Sequence, residues 1–457
     1  MKKNKMTGNG KRGCIACLLL TAVVVGGCTS DATDNGNQTG TYDPTRGLFV
    51  VDNDTTAYDN NDFSTDLTDT EKKIGSDMNE YAVGMLMDYS SAGSSRENTL
   101  LSPMSASLLY AMMANFTSGA NTDYEPNNQY KKNLGLDSYK MSDVNSYSRK
   151  IAYRDKKAGE EGCNISNSVF ISQKKPVYSS FLSMANSYGV KVQGTDFDSP
   201  QASDHISGSL DNDSQEKPTD GHTDNLSLTK DMESVVTTSM SLSKRWAMSM
   251  GVDSTSAILF TNADGSTTPC TVLYNRGKMN YAHFDYFDLL ELGYDDGDYA
   301  MYVVLPHSAA LLPQSLAYIQ GRGLANCIDA LGLKQIDLKL PRFSYSTTTG
   351  LNKEQGTVAQ MYQSSLPKVS PNGFKLGNIY QACSIELSQR GLFATVKTTG
   401  TVIVIDNSYA GATPGKIEEM QYVNFHALHP FAVFIRSRKL SVVPYACCIM
   451  DLRQTRH

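Results

Sequence analysis

The chain has 457 residues, more than a single hydrophobic core usually supports, which leaves one large domain or two. Apolar residues make up 40% of it, an ordinary share for a globular protein. The formal charge of −6 carries no basic excess and argues against nucleic acid as the main partner.

Lys2, Lys3, Lys5, Lys11 and Arg12 form a basic leader, followed by an apolar run from Cys14 to Val25 that is too short to span a bilayer comfortably. Residues 1–27 therefore read as a signal peptide. The run ends in Val25-Gly26-Gly27-Cys28, which resembles a bacterial lipobox, and this makes Cys28 the expected lipid attachment site and first mature residue. Residues 28–66 are rich in Asp, Asn, Thr and Gly; with so little apolar character they read as a flexible tether, and the folded part is expected over 67–457. Cys163, Cys270, Cys327, Cys383, Cys447 and Cys448 are scattered through that part without CxxC pairs or the density of a disulfide scaffold, so most are expected to be buried thiols. Cys447 and Cys448 are adjacent on an expected strand and point to opposite faces, which makes them poor partners for one another.

Thr68 with Glu71 forms a capping box, and Ile74, Met78, Tyr81, Ala82, Met85 and Leu86 recur behind it at helical spacing. A short strand, Thr99–Leu101, enters Ser102-Pro103-Met104-Ser105-Ala106-Ser107 and then an apolar helix, Leu108–Phe116. Pro103 and the serine hydroxyls suit a helix start, where free backbone N–H groups need acceptors. Later strands show alternation, as in Tyr299–Leu305, so periodicity gives a mixed α+β class. From Ser384 a strand passes Gly391 and runs on through Thr395, Val396, Thr398, Thr399 and Thr401–Ile405, almost all strong strand formers. Asp406–Gly415 is turn chemistry, and Phe425–Phe431 leads into a second apolar strand, Ala432–Ile435. A segment able to pair as a strand but tied to a turn-rich loop points to a part that can move into a sheet.

His205, His222, His283, His307, His426, His429 and the serines sit in no GxSxG elbow, HExxH helix or P-loop, so no catalytic residues are expected and the chain does not read as an enzyme. His426 and His429 have no nearby Cys or carboxylate pair, and no metal or cofactor is expected. The basic residues Arg149, Lys150, Arg154, Lys156 and Lys157 are diluted by Glu160 and Glu161 and read as a solvated charged face.

Several stretches, in order, resemble serpins. LLSPMSASLLYAMMANFTSGA looks like the segment after their first helix. Asn167-Ser168-Val169-Phe170 and Phe181–Phe197 are similar to a strand, a helix and the "DF" turn that follows. Phe287–Pro306, Leu338–Phe343 and Phe425–Arg436 (FHALHPFAVFIR) resemble further strands and the C-terminal signature. The likeness runs from about Thr68 to the end of the chain.

The resemblance implies a single domain of the α+β serpin fold: a large central β-sheet, further sheets, surrounding helices and an exposed reactive-centre loop over about 391–424. In place of Ser199–Lys230, which is polar here, serpins carry a helix lying over the main sheet, so that region is expected to be atypical. Trp246 falls where serpins commonly have a Trp close to the top of that sheet, and core packing alone would account for it. The implied function is suicide inhibition of a serine or cysteine protease: the loop is cut, the protease is acylated, and the freed segment inserts as a new strand.

Aligning Gly391 with the hinge glycine makes Leu392, Phe393, Ala394, Thr395 and Val396 the segment that inserts first. Leu392 and Phe393 depart from the small residues of inhibitory serpins. Strand geometry nevertheless puts Leu392, Ala394, Val396 and Thr398 on one face, suited to burial, and Phe393, Thr395, Lys397 and Thr399 on the other. In the sheet-opening region Ser102 and Ser105 match the family, whereas Thr238 and Gln381 replace its Asn and His; both can donate and accept, so a substitute network is feasible.

The commonest family spacing places the scissile bond at Ile405–Asp406, which suits an elastase-like or subtilisin-like protease. The loop is longer than the family norm, so the bond falls anywhere from Val404 to Lys416, and Lys416–Ile417 would suit a trypsin-like enzyme. The expected protein is a monomeric, lipid-anchored inhibitor in a bacterial cell envelope, at the outer membrane or cell surface. The alternative is a non-inhibitory surface lipoprotein of the same fold acting as a binding module.

Overall fold

The computed structural model describes residues 39–43, 48–50, 66–91, 96–118, 128–157, 163–213, 228, 232–255, 257–351, 361, 363–394 and 421–455. The expected signal peptide, Cys28 and most of the expected tether lie outside them. The chain opens with β1 (Thr39–Asp43) and β2 (Leu48–Val50), then α1 (Asp69–Ser91), β3 (Thr99–Leu101), α2 (Pro103–Met113), α3 (Gln129–Asn133) and α4 (Met141–Lys157). Next come β4 (Cys163–Ser172), β5 (Val177–Tyr178), α5 (Ser179–Ser187), β6 (Val190–Thr195), α6 (Ala202–Asp213) and β7 (Ser234–Arg245). Six strands follow, β8 (Gly251–Asp253), β9 (Leu259–Thr261), β10 (Thr267–Pro269), β11 (Val272–His283), β12 (Phe287–Gly293) and β13 (Tyr299–Pro306), before α7 (Leu312–Arg322) and α8 (Leu324–Asp329). The chain then continues with β14 (Gly332–Pro341), β15 (Phe343–Gly350), β16 (Asn378–Ser388), β17 (Gly391–Ala394), β18 (Val423–His426), β19 (Phe431–Ser437) and β20 (Val442–Ile449).

Among the described residues the strands form two nine-stranded sheets and one two-stranded sheet. The central sheet runs β15-β16-β17-β7-β4-β6-β2-β1-β5; the second runs β18-β14-β11-β12-β13-β19-β20-β3, with β8 beside β11. Helix α2 lies between them, against β4 and β7 on one side and β20 on the other, so all 11 of its residues are buried. A helix apolar all round requires such a place. Its start is built as the sequence indicates: the Ser102 side chain accepts from the Ser105 amide, with Pro103 in the first turn. No helix among the described residues is long and apolar enough to cross a membrane.

Three sequence expectations change. The segment expected to be a tether contributes β1 and β2, which extend the central sheet through Leu48 beside Gln193 of β6. The physical reason is a pair of aromatic side chains in an otherwise polar stretch. Tyr42 and Phe49 are register partners with ring centroids 5.8 Å apart, and the Tyr42 ring occupies the space over Gly194, where a Cβ would meet it at 2.2 Å. Strand β13 does not alternate: all eight residues, Tyr299–Pro306, are buried, because it sits between β12 and β19 inside the second sheet. Within Ser199–Lys230, Ala202–Asp213 is an ordinary helix, α6, whose Ile206 joins Phe197, Phe170 of β4 and Val235 of β7 in a small second core. It therefore covers the central sheet on the face away from α2. Residues 214–227 lie outside the described part.

The capping box closes both ways: the Thr68 amide donates to Glu71 Oε2 at 2.7 Å and the Glu71 amide to Thr68 Oγ1 at 3.2 Å. The same carboxylate receives Lys150 Nζ at 2.7 Å and Ser146 Oγ at 2.7 Å, which removes Lys150 from the basic face expected on α4. Burial pushes the Glu71 carboxyl up, but bonds from Lys150, Ser146 and the Thr68 amide outweigh it and hold the carboxyl below its ordinary 4.5. The stabilisation is then complete above pH 4.5 and fades as pH falls through the lowered value. Glu71→Ala leaves the Lys150 ammonium, whose side chain is only 11% exposed, without its counter-charge and with the Asp66 carbonyl as its acceptor. Denaturant unfolding should show it destabilised by about 3–5 kcal/mol at neutral pH; an unchanged midpoint would mean the ammonium finds solvent.

Candidate functional site

The backbone of β7 is shared between two partners. At one end Val235–Ser239 pairs directly, in parallel, with Asn378–Ala382 of β16. At the other end Leu242–Arg245 pairs antiparallel with Gly391–Ala394 of β17, which in turn pairs with Glu386–Ser388 of β16. Among the described residues, the stretch Cys383–Ile385 of β16, paired with β15 on its outer side, has no strand partner toward β7. The sheet is thus closed at one end, wedged by β17 at the other, and forked between.

Glycine sits at both ends of this fork. Gly391 begins β17 at φ +150°, and a Cβ there would fall 1.9 Å from the Lys244 carbonyl oxygen. Only a residue without a side chain lets the chain turn back so close to β7. At the closed end a Cβ on Gly377 would fall 1.8 Å from the Ser234 carbonyl oxygen; instead the Gly377 amide donates to Ser234 Oγ at 3.0 Å.

The wedge is tied from several sides. Trp246 Nε1 donates to the Ser388 carbonyl at 3.0 Å, the Trp246 amide donates to the Arg390 carbonyl, and its ring stacks on Tyr294 at 4.9 Å. Gln389 Nε2 reaches the Met250 carbonyl at 2.9 Å. Leu392, fully buried, pairs with Leu387 and with Lys244. The Lys244 ammonium meets Asp296 Oδ2 at 2.7 Å and lies 4.8 Å from the Tyr299 ring centroid. Burial pushes the Asp296 carboxyl up, while Lys244 and the Tyr299 and Asp298 amides more than offset it, leaving the carboxyl below its usual range.

Beneath the closed end, Asn167 of β4, Thr238 of β7 and Gln381 of β16 stand in one row across three strands, facing the start of α2. Gln381 Oε1 accepts from the Ser102 amide at 2.7 Å and its Nε2 donates to the Ser102 carbonyl at 2.9 Å. Ser102 and Ser105 share a hydroxyl bond, Ser102 Oγ approaches Met240 Sδ at 3.2 Å, and Asn167 Nδ2 reaches the Ser105 carbonyl at 3.5 Å. Among the described residues, Thr238 Oγ1 and Asn167 Oδ1 are buried without a hydrogen-bond partner. At the fork itself the Met240 carbonyl accepts from the buried Tyr445 hydroxyl.

Gly391, Leu392, Phe393 and Ala394 are therefore brought together with β7 and β16, and Ser102, Ser105 and Gln381 with one another. The substitute network differs from expectation: Gln381 bonds to the backbone of Ser102, and the Thr238 hydroxyl takes no part. Thr395, Val396, Ile405, Asp406 and Lys416 lie outside the described residues. The far anchor is β18, paired in parallel with β14 from Ile336↔Val423 to Lys339↔His426. Asn167, which the sequence places only in a strand motif, joins the site; flanked by Ser166 and Ser168, its amide gives no local signal of that role. Trp246 does more than pack. Cys270, Cys327, Cys383, Cys447 and Cys448 are buried and free, and burial pushes the Cys270 and Cys327 thiols up to about 11.

The family model of serpins, described as serine protease inhibitors, matches residues 76–447. The chain belongs to the serpin family. An uncharacterized serpin-like protein of Methanosarcina mazei is 23% identical over 222 residues, 47% of this chain and 50% of that protein. Human antithrombin-III is 23% identical over 207 residues, 43% of this chain and 42% of that one. The chain spans about half the length of the curated relatives it matches. Among solved structures, thyroxine-binding globulin in complex with thyroxine superposes with a TM-score of 0.67 at 17% identity, over 83% of this chain and 99% of that one. Native protease nexin-1 with heparin gives 0.65 at 17%, over 84% and 99%. Arabidopsis AtSerpin1 in its native stressed conformation gives 0.65 at 18%, over the same shares. These likenesses show the serpin fold, α+β with several sheets and packed helices.

An unsatisfied buried hydroxyl costs about 1–3 kcal/mol, and an apolar group of the same shape removes that cost. Thr238→Val in this serpin should therefore raise the denaturant unfolding free energy by about 1 kcal/mol. A lower value would show that the hydroxyl has a partner in solution.

Proposed function

We propose that this serpin is a suicide inhibitor of extracytoplasmic serine or cysteine proteases, held at a bacterial cell envelope by a lipid on Cys28. The observation that carries the reading is the fork: β17 already occupies one end of the space between β7 and β16, while the other end is shut by direct pairing. A protease attacks a loop peptide bond between Val404 and Ile417, the new amino terminus leaves as the amine, and an ester to a serine protease, or a thioester to a cysteine protease, joins the enzyme to the chain that ends β17. That chain is then free to continue β17 between β7 and β16. Each added residue exchanges the parallel pairing at Val235–Ser239 and Asn378–Ala382 for antiparallel pairing on both sides, so more backbone bonds form than break. No catalytic group of the inhibitor takes part.

The named residues have distinct parts in this reading. Gly391 is the pivot, Leu392 to Val396 lead the insertion, and Gln381, Ser102, Ser105 and Thr238 set how readily the closed end parts. Ile405–Asp406 is the favoured bond, suited to elastase-like or subtilisin-like enzymes, with Lys416–Ile417 the site for a trypsin-like one. The burial of Leu392 within β17 supports the reading that a bulky leading residue is tolerated at the first step. A second reading, a serpin-fold binding module, draws support from the neighbour solved with thyroxine, and it requires no loop movement.

Incubating the polypeptide from residue 29 onward with elastase-like, subtilisin-like and trypsin-like proteases should give an SDS-stable covalent complex with at least one. Loop cleavage by all three without any complex would favour the binding module. For localisation, Cys28→Ser should move the protein from the membrane fraction to the soluble fraction of the producing cells; retention in the membrane would overturn the lipid anchor.

A further inference from the structure

Away from the fork, three potential ligands converge where β11 ends, β12 begins and β13 gives way to the following turn. His283 Nδ1 lies 2.7 Å from Asp288 Oδ1, and His307 Nε2 lies 3.5 Å from the same oxygen. The two imidazoles stack with centroids 4.8 Å apart and planes at 19°, and the three ligand atoms all lie within 4.8 Å of one another. We propose that His283, Asp288 and His307 form a binding site for a divalent first-row transition ion, with Zn²⁺ the best match.

The chemistry of the set selects the metal class. Two imidazoles and one carboxylate suit zinc and its neighbours, whereas magnesium and calcium take oxygen ligands. Bond lengths of about 2.0–2.2 Å in a tetrahedral site put ligand atoms about 3.4 Å apart. The Asp288–His307 distance already fits; the His283–Asp288 pair has to open by less than the width of an atom, and the two histidine nitrogens, within 4.8 Å of one another, have to close toward the same spacing. Three protein ligands leave a fourth position for water, and the His283 side chain, 67% exposed, gives the ion access.

The scaffold is stiff. His283 and Asp288 are register partners on adjacent strands. The turn between them is closed by the Phe284 amide on the Phe287 carbonyl at 2.9 Å, and the His307 amide donates to the Tyr286 carbonyl at 3.0 Å. Behind the carboxylate, the Tyr281 hydroxyl donates to Asp288 Oδ1 at 2.9 Å, the kind of outer hydrogen bond that orients a ligating carboxylate. Sequence spacing alone does not reveal the group, because it is assembled across three strands. The bound ion would pin the β11–β12 turn to the end of β13.

The purified full chain, stripped of metal, should bind one Zn²⁺ saturably in calorimetry. Co²⁺ should give the intense visible absorption of a tetrahedral site, displaced by Zn²⁺. A hundredfold excess of Zn²⁺ over its Kd should raise the Tm by about 3 °C. His307→Ala leaves the His283–Asp288 hydrogen bond intact and should weaken Zn²⁺ binding at least tenfold, as should His283→Ala. No saturable binding by the unaltered chain, or binding that both variants leave unchanged, would overturn the site. Because the calorimetric and cobalt readings are made on the unaltered chain, they decide the matter even if a variant fails to fold.

Discussion

One strand, β7, has its hydrogen-bonding edge divided between β16 and β17, and the rest of the molecule is arranged around that division. Backbone groups buried in a sheet need partners. Where β16 supplies them the sheet is closed, and where β17 supplies them it is wedged; at the fork, Tyr445 from the second sheet reaches across to the Met240 carbonyl. The two glycines at the ends exist for this geometry. Gly377 lets β16 lie against Ser234, and Gly391 lets β17 turn back against Lys244.

The closed end is held by opposing terms. Gln381 gives both amide atoms to the backbone of Ser102, so opening the sheet there must also detach β16 from the start of α2. Among the described residues Thr238 and Asn167, in the same row, each leave a buried oxygen unpaired, which costs the closed sheet free energy. Helix α6 covers the opposite face through Ile206, Phe170 and Val235, and would have to yield as well. The closed sheet is thus latched by Gln381 while two buried oxygens beside the latch lack a partner among the described residues.

Much of this was legible in the sequence where the determining interactions are local. The Thr68–Glu71 box, the Ser-Pro-x-Ser start of α2 and the need for glycine at 391 follow from a few neighbouring residues, and the family likeness supplied the order of the strands. What escaped depends on distant partners. Strands β1 and β2 order because Tyr42 fills the space above Gly194, more than a hundred positions away. Strand β13 reads as alternating but is buried on both faces because β12 and β19 flank it. Thr238 and Gln381 can each donate and accept, and the backbone of Ser102 decides that Gln381 does so. Trp246 reads as core and in fact caps the turn that leads into β17.

The central claim is that the space between β7 and β16 accepts the loop once the loop is cut. The most direct measurement is the thermal unfolding midpoint of the soluble polypeptide before and after complete proteolytic cleavage within residues 395–420, with the fragments kept together. A full inserted strand should raise the midpoint far beyond the few degrees that a change of about 1–2 kcal/mol produces. A midpoint that is unchanged or lower after cleavage would contradict the account.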